Sequence, residues 1–263
     1  MGCLDSGKLT SIAVELYEAE RAAEPVTPLT ERFPDFGVGE AYAAQKHLLE
    51  MKLREGARLV GRKVGLTSRP MQDLLGVNEP DYGFLLDRMV VPPGDEISCS
   101  LLIQPRVEGE IAFVLDCGLE GPGVTVAQVL RATWAVVTAI EVIDSRIRDW
   151  RIRLPDTVAD NASSARVVLG GVMLPAQSVD LELAGMVLRK NGRVAATGAG
   201  AAVLGHPAAA VAWLANKLAE FGERLEAGQV VLPGALAAAV PVGPGDVVEV
   251  AVQGLGAVHV VFS

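Results

Sequence analysis

The chain has 263 residues, 50% of them hydrophobic and 21% charged, with a formal net charge of −9. That balance describes a folded chain with room for one large domain or two small ones, and excludes a disordered polymer. The acid excess excludes a nucleic-acid surface, which needs clustered lysine and arginine, and leaves a small molecule as the expected partner. The three cysteines, Cys3, Cys99 and Cys117, form no CxxC pair, so neither a disulfide framework nor a thiolate zinc site is expected, and a reducing cytoplasm is the expected compartment. No apolar run reaches the ~18 residues of a membrane span, and the N-terminus lacks signal-peptide form. MGCLDS formally fits a myristoylation pattern, a match too short to carry weight.

In chain order, residues 8–22 and 39–54 carry helix formers with apolar residues at i+3 and i+4 spacing, and Gly56 is a plausible stop for the second helix. Between them EPVTPLTERFPDF is a proline-punctuated connection. RLVGRKVGLTS (58–68) predicts a strand and a turn, PMQDLLG (70–76) a short helix, and NEPDYG a loop. RVEGEIAFVLD predicts a strand, TVAQ (125–128) opens a helix with a capping box, and WAVVTAIEVIDS predicts a buried strand. DTVADNASS (156–164) reads as a structural loop, since its polar side chains can bond their own backbone.

Farther on, LRKNGRV carries a hairpin signal at Asn191-Gly192, and GAGAAVLG (198–205) reads as a turn rather than a phosphate cradle. HPAAAVAWLANKLAEFG predicts a helix, with Pro207 early and Gly222 past its end. The tail predicts two strands joined by QGLG. Strands dominate from residue 58 without a βαβ rhythm, which excludes a doubly wound nucleotide fold. The expected architecture is α+β, with an N-terminal helical region (1–57) around the mixed, curved sheet of a β-rich catalytic domain (58–263).

Three acids stand out. Glu108 and Glu110 sit at i and i+2 in an apolar strand, on one face, and Glu141 lies in the apolar run VVTAIEVI. Like charges so placed repel unless a proton or cation holds them. Convergence of the strands would make an oxygen site for Mg²⁺ or Mn²⁺; the other reading has the acids facing solvent or pairing with Arg106 or Arg146. Lys63, between Gly61 and Gly65, is either a buried proton-transfer group or a surface lysine whose stem covers apolar area. No histidine pair has metal-ligand spacing and no G-x-S-x-G occurs.

Taken together and in order, GRKVGLTS, NEPDYGFLLD, RVEGEIAF, EVIDSRIRDW, DTVADNASS and GAGAAVLGHP…VAWLAN resemble the 2-hydroxypenta-2,4-dienoate (2-keto-4-pentenoate) hydratases. These are relatives of 4-oxalocrotonate decarboxylase in the fumarylacetoacetate hydrolase-like superfamily. The resemblance implies a sheet core of that type and a Mg²⁺ or Mn²⁺ ion on Glu108, Glu110 and Glu141. It implies Lys63 as acid/base or oxyanion partner, Asp81 as a second catalytic group, and Thr67, Ser68 and Ser163 near the substrate. The implied reaction is hydration of a 2-hydroxy-2,4-dienoate in catabolism of aromatic compounds, with decarboxylation on the same fold or a non-catalytic partner subunit as alternatives. Homo-oligomers, and association with neighbouring pathway enzymes, are the implied assemblies.

Overall fold

A computed structural model describes residues 4–263; Cys3 and the first half of the MGCLDS pattern lie outside the described residues. The N-terminal region forms helices α1 (Ser6–Ala22), α2 (Leu29–Arg32) and α3 (Val38–Arg54). Asp5 starts α1 by accepting the Lys8 amide at 2.8 Å, and Ala23 ends it in a left-handed conformation. Leu9, Ile12, Ala13 and Leu16 are buried along one face, each large side chain contributing roughly 1.5–3 kcal/mol. Within the proline-punctuated connection α2 is a single turn, fastened by Asp156, which accepts both the Thr30 amide (3.0 Å) and hydroxyl (2.7 Å).

The rest of the chain runs β1 (Leu59–Gly65), α4 (Arg69–Leu75), β2 (Asp81–Leu86), β3 (Val90–Val91), β4 (Glu96–Ile97) and β5 (Arg106–Leu115). There follow α5 (Val126–Ala132), β6 (Thr133–Ile143), α6 (Leu154–Ala159), β7 (Ser164–Leu174), β8 (Gly185–Lys190) and β9 (Arg193–Ala199). The chain closes with α7 (Pro207–Ala219), β10 (Val230–Leu232), β11 (Val240–Pro241), β12 (Val247–Val252) and β13 (Gly256–Phe262). Eight strands make one mixed sheet, in the order β2-β1-β10-β5-β6-β7-β3 with β11 beside β5, and five make a second, β4-β13-β12-β8-β9. Asn191 and Gly192 turn the β8–β9 hairpin with φ of 53° and 75°, as the Asn-Gly signal requires. Among the described residues no helix is long and apolar enough to cross a membrane.

Two sequence expectations are corrected. NEPDYG is not all loop: Asp81 begins β2, whose Asp81–Leu86 pairs antiparallel with β1, because the apolar YGFLL that follows fills a fully buried strand. DTVADNASS is not a plain loop either. Its first four residues complete α6, and after Asp160 the residues Asn161–Ser163 form a tight turn; Asp156 serves α6 by accepting the Arg153 amide at 2.9 Å.

The two sheets meet at Gly109, where an added Cβ would lie 3.0 Å from Val250 Cγ1 and 3.1 Å from Met186 Sδ. Alternation along β5 therefore turns Glu108 and Glu110 to the face away from the second sheet. At Gly61 a Cβ would sit 2.0 Å from the Val230 carbonyl oxygen, so this glycine permits the parallel pairing of β1 with β10. Gly61→Ala is expected to destabilise the protein by at least ~1–3 kcal/mol, as overpacking against rigid backbone does; a thermal melt no different from wild type would refute this.

Candidate active site

Antiparallel pairing of β5 with β6 sets Glu108 directly opposite Glu141, with Glu110 two residues along the same face. One oxygen from each carboxylate lies within 4.8 Å of the others. Glu110 and Glu141 are fully buried and Glu108 is half-buried. Glu110 Oε2 accepts the Gly234 amide at 2.8 Å, while Glu110 Oε1 and both Glu141 oxygens have no hydrogen-bond partner. Burial, and then the charge of Glu141, push the Glu108 carboxyl up to about 7; burial and both neighbouring glutamates push Glu110 well above the ordinary range. Opposed like charges with orphaned buried oxygens are unstable unless something positive lies among them. An all-carboxylate donor set suits a hard divalent cation.

The pairing of β1 with β2 brings two more groups to this face, Lys63 opposite Gly83 and Asp81 opposite Gly65. Lys63 is 3% exposed, which removes the surface-lysine reading. Its Nζ donates to the Ala162 carbonyl at 2.9 Å and lies 3.5 Å from Glu141 Oε2, an ion contact without hydrogen-bond geometry. Burial alone would pull the ammonium down, but the charges of Glu141, Asp81, Glu108 and Glu110 outweigh it and hold Lys63 above its ordinary range. Asp81 is buried; desolvation pushes its carboxyl up against the pull of Lys63 and of a 3.3 Å hydrogen bond from Thr157. Its Oδ1 has no partner.

Glycines clear the floor of the site. A Cβ on Gly65 would meet Asp81 Oδ1 at 2.2 Å, and one on Gly83 would meet the Asn161 carbonyl oxygen at 2.5 Å. Gly234, at φ 120°, leaves room for the buried Thr67 side chain, whose Oγ1 would be 2.2 Å from a Cβ there. Thr67 thus abuts the loop that binds Glu110. Ser68 precedes α4, and its hydroxyl caps nothing; no described contact joins it to the carboxylates. Ser163 is buried one residue beyond the Lys63 acceptor, and its hydroxyl donates to Asp160 Oδ2 at 3.4 Å. Neither alternative pairing of the acids is formed. Arg146 is buried on Asp160, and Arg106 stacks 4.6 Å over Trp150, acting on Glu108 only as a nearby charge.

Sequence reasoning missed the contributions made through backbone and fold: the Gly234 amide, the Ala162 carbonyl and the Thr157 hydroxyl. Only the crowding of glycines beside Lys63 hinted at them, and the structure divides that hint between a backbone contact at Gly61 and the Asp81 contact at Gly65.

Comparison with known proteins identifies the family and the fold. Residues 36–262 match the fumarylacetoacetate (FAA) hydrolase C-terminal family. The chain is 47% identical over 250 residues to a 2-hydroxyhexa-2,4-dienoate hydratase of Comamonas testosteroni, covering 94% of this chain and 95% of the relative. It is 50% identical over 220 residues to a 2-hydroxypent-2,4-dienoate hydratase of Pseudomonas putida, covering 83% and 99%. A solved 4-oxalocrotonate decarboxylase from Pseudomonas putida G7, complexed with magnesium and adipate, superimposes with a TM-score of 0.97 at 42% identity over 100% of both chains. The matched length, the two-sheet architecture and the full-length superposition place this chain in the fumarylacetoacetate hydrolase family.

Proposed function

We propose that the chain is a divalent-cation-dependent hydratase. It adds water to a 2-hydroxypenta-2,4-dienoate, giving 4-hydroxy-2-oxopentanoate in meta-cleavage catabolism of aromatic compounds. The observation that carries this reading is the close trio of glutamates, two of them buried with orphaned oxygens, sharing one sheet face with Lys63 and Asp81. Sequence identity to dienoate hydratases supports the substrate class. Glu108, Glu110 and Glu141 would hold Mg²⁺ or Mn²⁺, which supplies a Lewis acid for the 2-oxygen of the substrate.

The chain's own groups handle the protons. Loss of the 2-hydroxyl proton gives a dienolate, whose protonation at C5 gives a conjugated 2-oxo-3-enoate; water then adds at C4, losing one proton as its oxygen bonds there, and a proton is delivered to C3 of the resulting enolate. The 2-oxygen carries negative charge in the dienolate and again in the enolate formed by water addition, and Lys63, kept cationic by its carboxylate neighbours, offsets it from a dry, fixed position. Asp81 has one oxygen free and burial raises its proton affinity, which suits it to orient the water and accept its proton. Thr67, Ser68 and Ser163 are assigned to substrate binding.

Residues 1–57 and 58–263 act as one unit in this reading, supported by the Asp156 clasp on Thr30. A homo-oligomer in the cytoplasm is proposed with it, consistent with free Cys99 and Cys117 and with exposed apolar side chains such as Trp134 and Leu183. Decarboxylation is the second reading, favoured by the full-length superposition on a decarboxylase.

Three outcomes are expected. Lys63→Ala should lower kcat by about 10²–10⁴-fold with an unchanged circular dichroism spectrum; near-normal turnover would remove Lys63 from the reaction. EDTA should abolish activity and Mg²⁺ or Mn²⁺ restore it, and the product from 2-hydroxypentadienoate should contain added water with no CO₂ released. Full activity of the metal-free enzyme would sink the cation assignment, and release of CO₂ would favour the second reading.

The pH dependence follows from the glutamates. In the cation-free protein Glu108 is raised from 4.5 to about 7, so the folded state binds more protons than the unfolded one in that interval. Stability of the cation-free protein should therefore fall as pH rises from about 4.5 to about 7. Mn²⁺ affinity should rise over the approach to neutrality, with protons released on binding. Calorimetry in buffers of different ionisation enthalpy reads both quantities, and pH-independent affinity without proton release would contradict the assignment.

A further inference from the structure

Directly after α6 the chain turns through Asn161, Ala162 and Ser163, with φ of 55°, 48° and 55°. Residues other than glycine avoid this left-handed region, asparagine least of them. Three in succession persist only where surrounding contacts overdetermine them. Those contacts are specific. The Asn161 side-chain amide reads the Phe84 backbone on β2 in both directions: Oδ1 accepts the Phe84 amide at 2.7 Å, and Nδ2 donates to the Phe84 carbonyl at 3.1 Å. It imitates one rung of a neighbouring strand. Gly83 supplies the space, since a Cβ there would collide with the Asn161 carbonyl oxygen at 2.5 Å and with Oδ1 at 2.7 Å. The far end of the turn is tied where Ser163 donates its amide to Asp160 and its carbonyl accepts the Asp144 amide at 2.8 Å.

Between these two fastenings lies the Ala162 carbonyl, which accepts the only hydrogen bond the Lys63 ammonium makes among the described residues. The ammonium's other close partner, Glu141, stands at 3.5 Å and attracts without directing. Direction therefore comes from a carbonyl on a strained turn, and the turn is held to β2 by one amide side chain.

We propose that Asn161 is a positioning residue: by clamping the left-handed turn to Phe84, it fixes the Ala162 carbonyl and thereby aims Lys63 at the reacting face. This rests on the hydratase reading, in which Lys63 acts on the substrate.

Asn161→Gly is the decisive variant, because glycine adopts this backbone freely and only the clamp is lost. In the Mg²⁺-loaded enzyme kcat is expected to fall about 10–100-fold, the scale of a misplaced catalytic group. KM and Mg²⁺ affinity should stay within about twofold, since Ser163 is fastened separately by Asp160 and Asp144 and the glutamates sit on other strands. In a crystal structure of the variant, Lys63 Nζ should leave hydrogen-bond reach of the Ala162 oxygen, beyond about 3.5 Å. Asn161→Asp keeps the acceptor for the Phe84 amide and loses the donor; it should show the same kcat-against-KM split with a smaller drop, and decides the matter should the glycine variant fail to fold.

An unchanged kcat, a loss shared equally by KM and Mg²⁺ affinity, or Lys63 still bonded to Ala162 would each overturn the proposal. If the wild-type enzyme hydrates no 2-oxo-dienoate, the hydratase reading falls on that result alone, while the Lys63–Ala162 distance in the variant still tests the clamp.

Discussion

Glu108 and Glu141 face each other across an antiparallel ladder, in register, in a region where water does not reach Glu141. Such a pair opposes folding by repulsion and by desolvation together. Around this conflict the rest of the site is arranged. Lys63 is buried where its charge offsets that of the glutamates, the Gly234 amide takes up one Glu110 oxygen, and the oxygens left over define where a cation belongs. In the proposed reading, stability surrendered here becomes affinity for a divalent ion and a strong local field on the substrate.

Placing the groups falls to the backbone more than to side-chain packing. β1, β10 and β5 are neighbours in the sheet, so the strand carrying Lys63 is held at a set distance from the strand carrying two glutamates. Asp81 joins them only because β2 pairs with β1. A shift of one residue in either pairing would turn these side chains to the opposite face.

Much of this was legible in the sequence. An i, i+2 pair of glutamates in an apolar strand, and a third in another apolar run, are one-dimensional signs of a shared carboxylate face. The Asn-Gly turn and the proline-started α7 are equally local. What could not be read had causes distant in sequence. Asp81 looked like loop because turn-prone Asn78, Glu79 and Pro80 precede it, yet β1, some twenty residues earlier, draws it into the sheet. DTVADNASS looked like loop because its polar residues were credited with bonding locally, whereas Asp156 also reaches Thr30 and Asn161 reaches Phe84. The Gly234 amide leaves no mark in side-chain chemistry. Hydratase and decarboxylase relatives are nearly equally similar to this chain, as expected if both chemistries draw on the same enolate-stabilising core.

Gly109 has a wider meaning. Its missing side chain lets Val250 and Met186 press against the back of β5, between the two residues that carry the acidic pair. The back of β5 is thus already filled at this position. Any side chain added at Gly109 would push against this packing and shift the strand that carries Glu108 and Glu110. Room for change lies instead beside Thr67 and Gly234, which abut Glu110 from outside its strand, in segments that can vary while the pairing of β5 with β6 stays as it is.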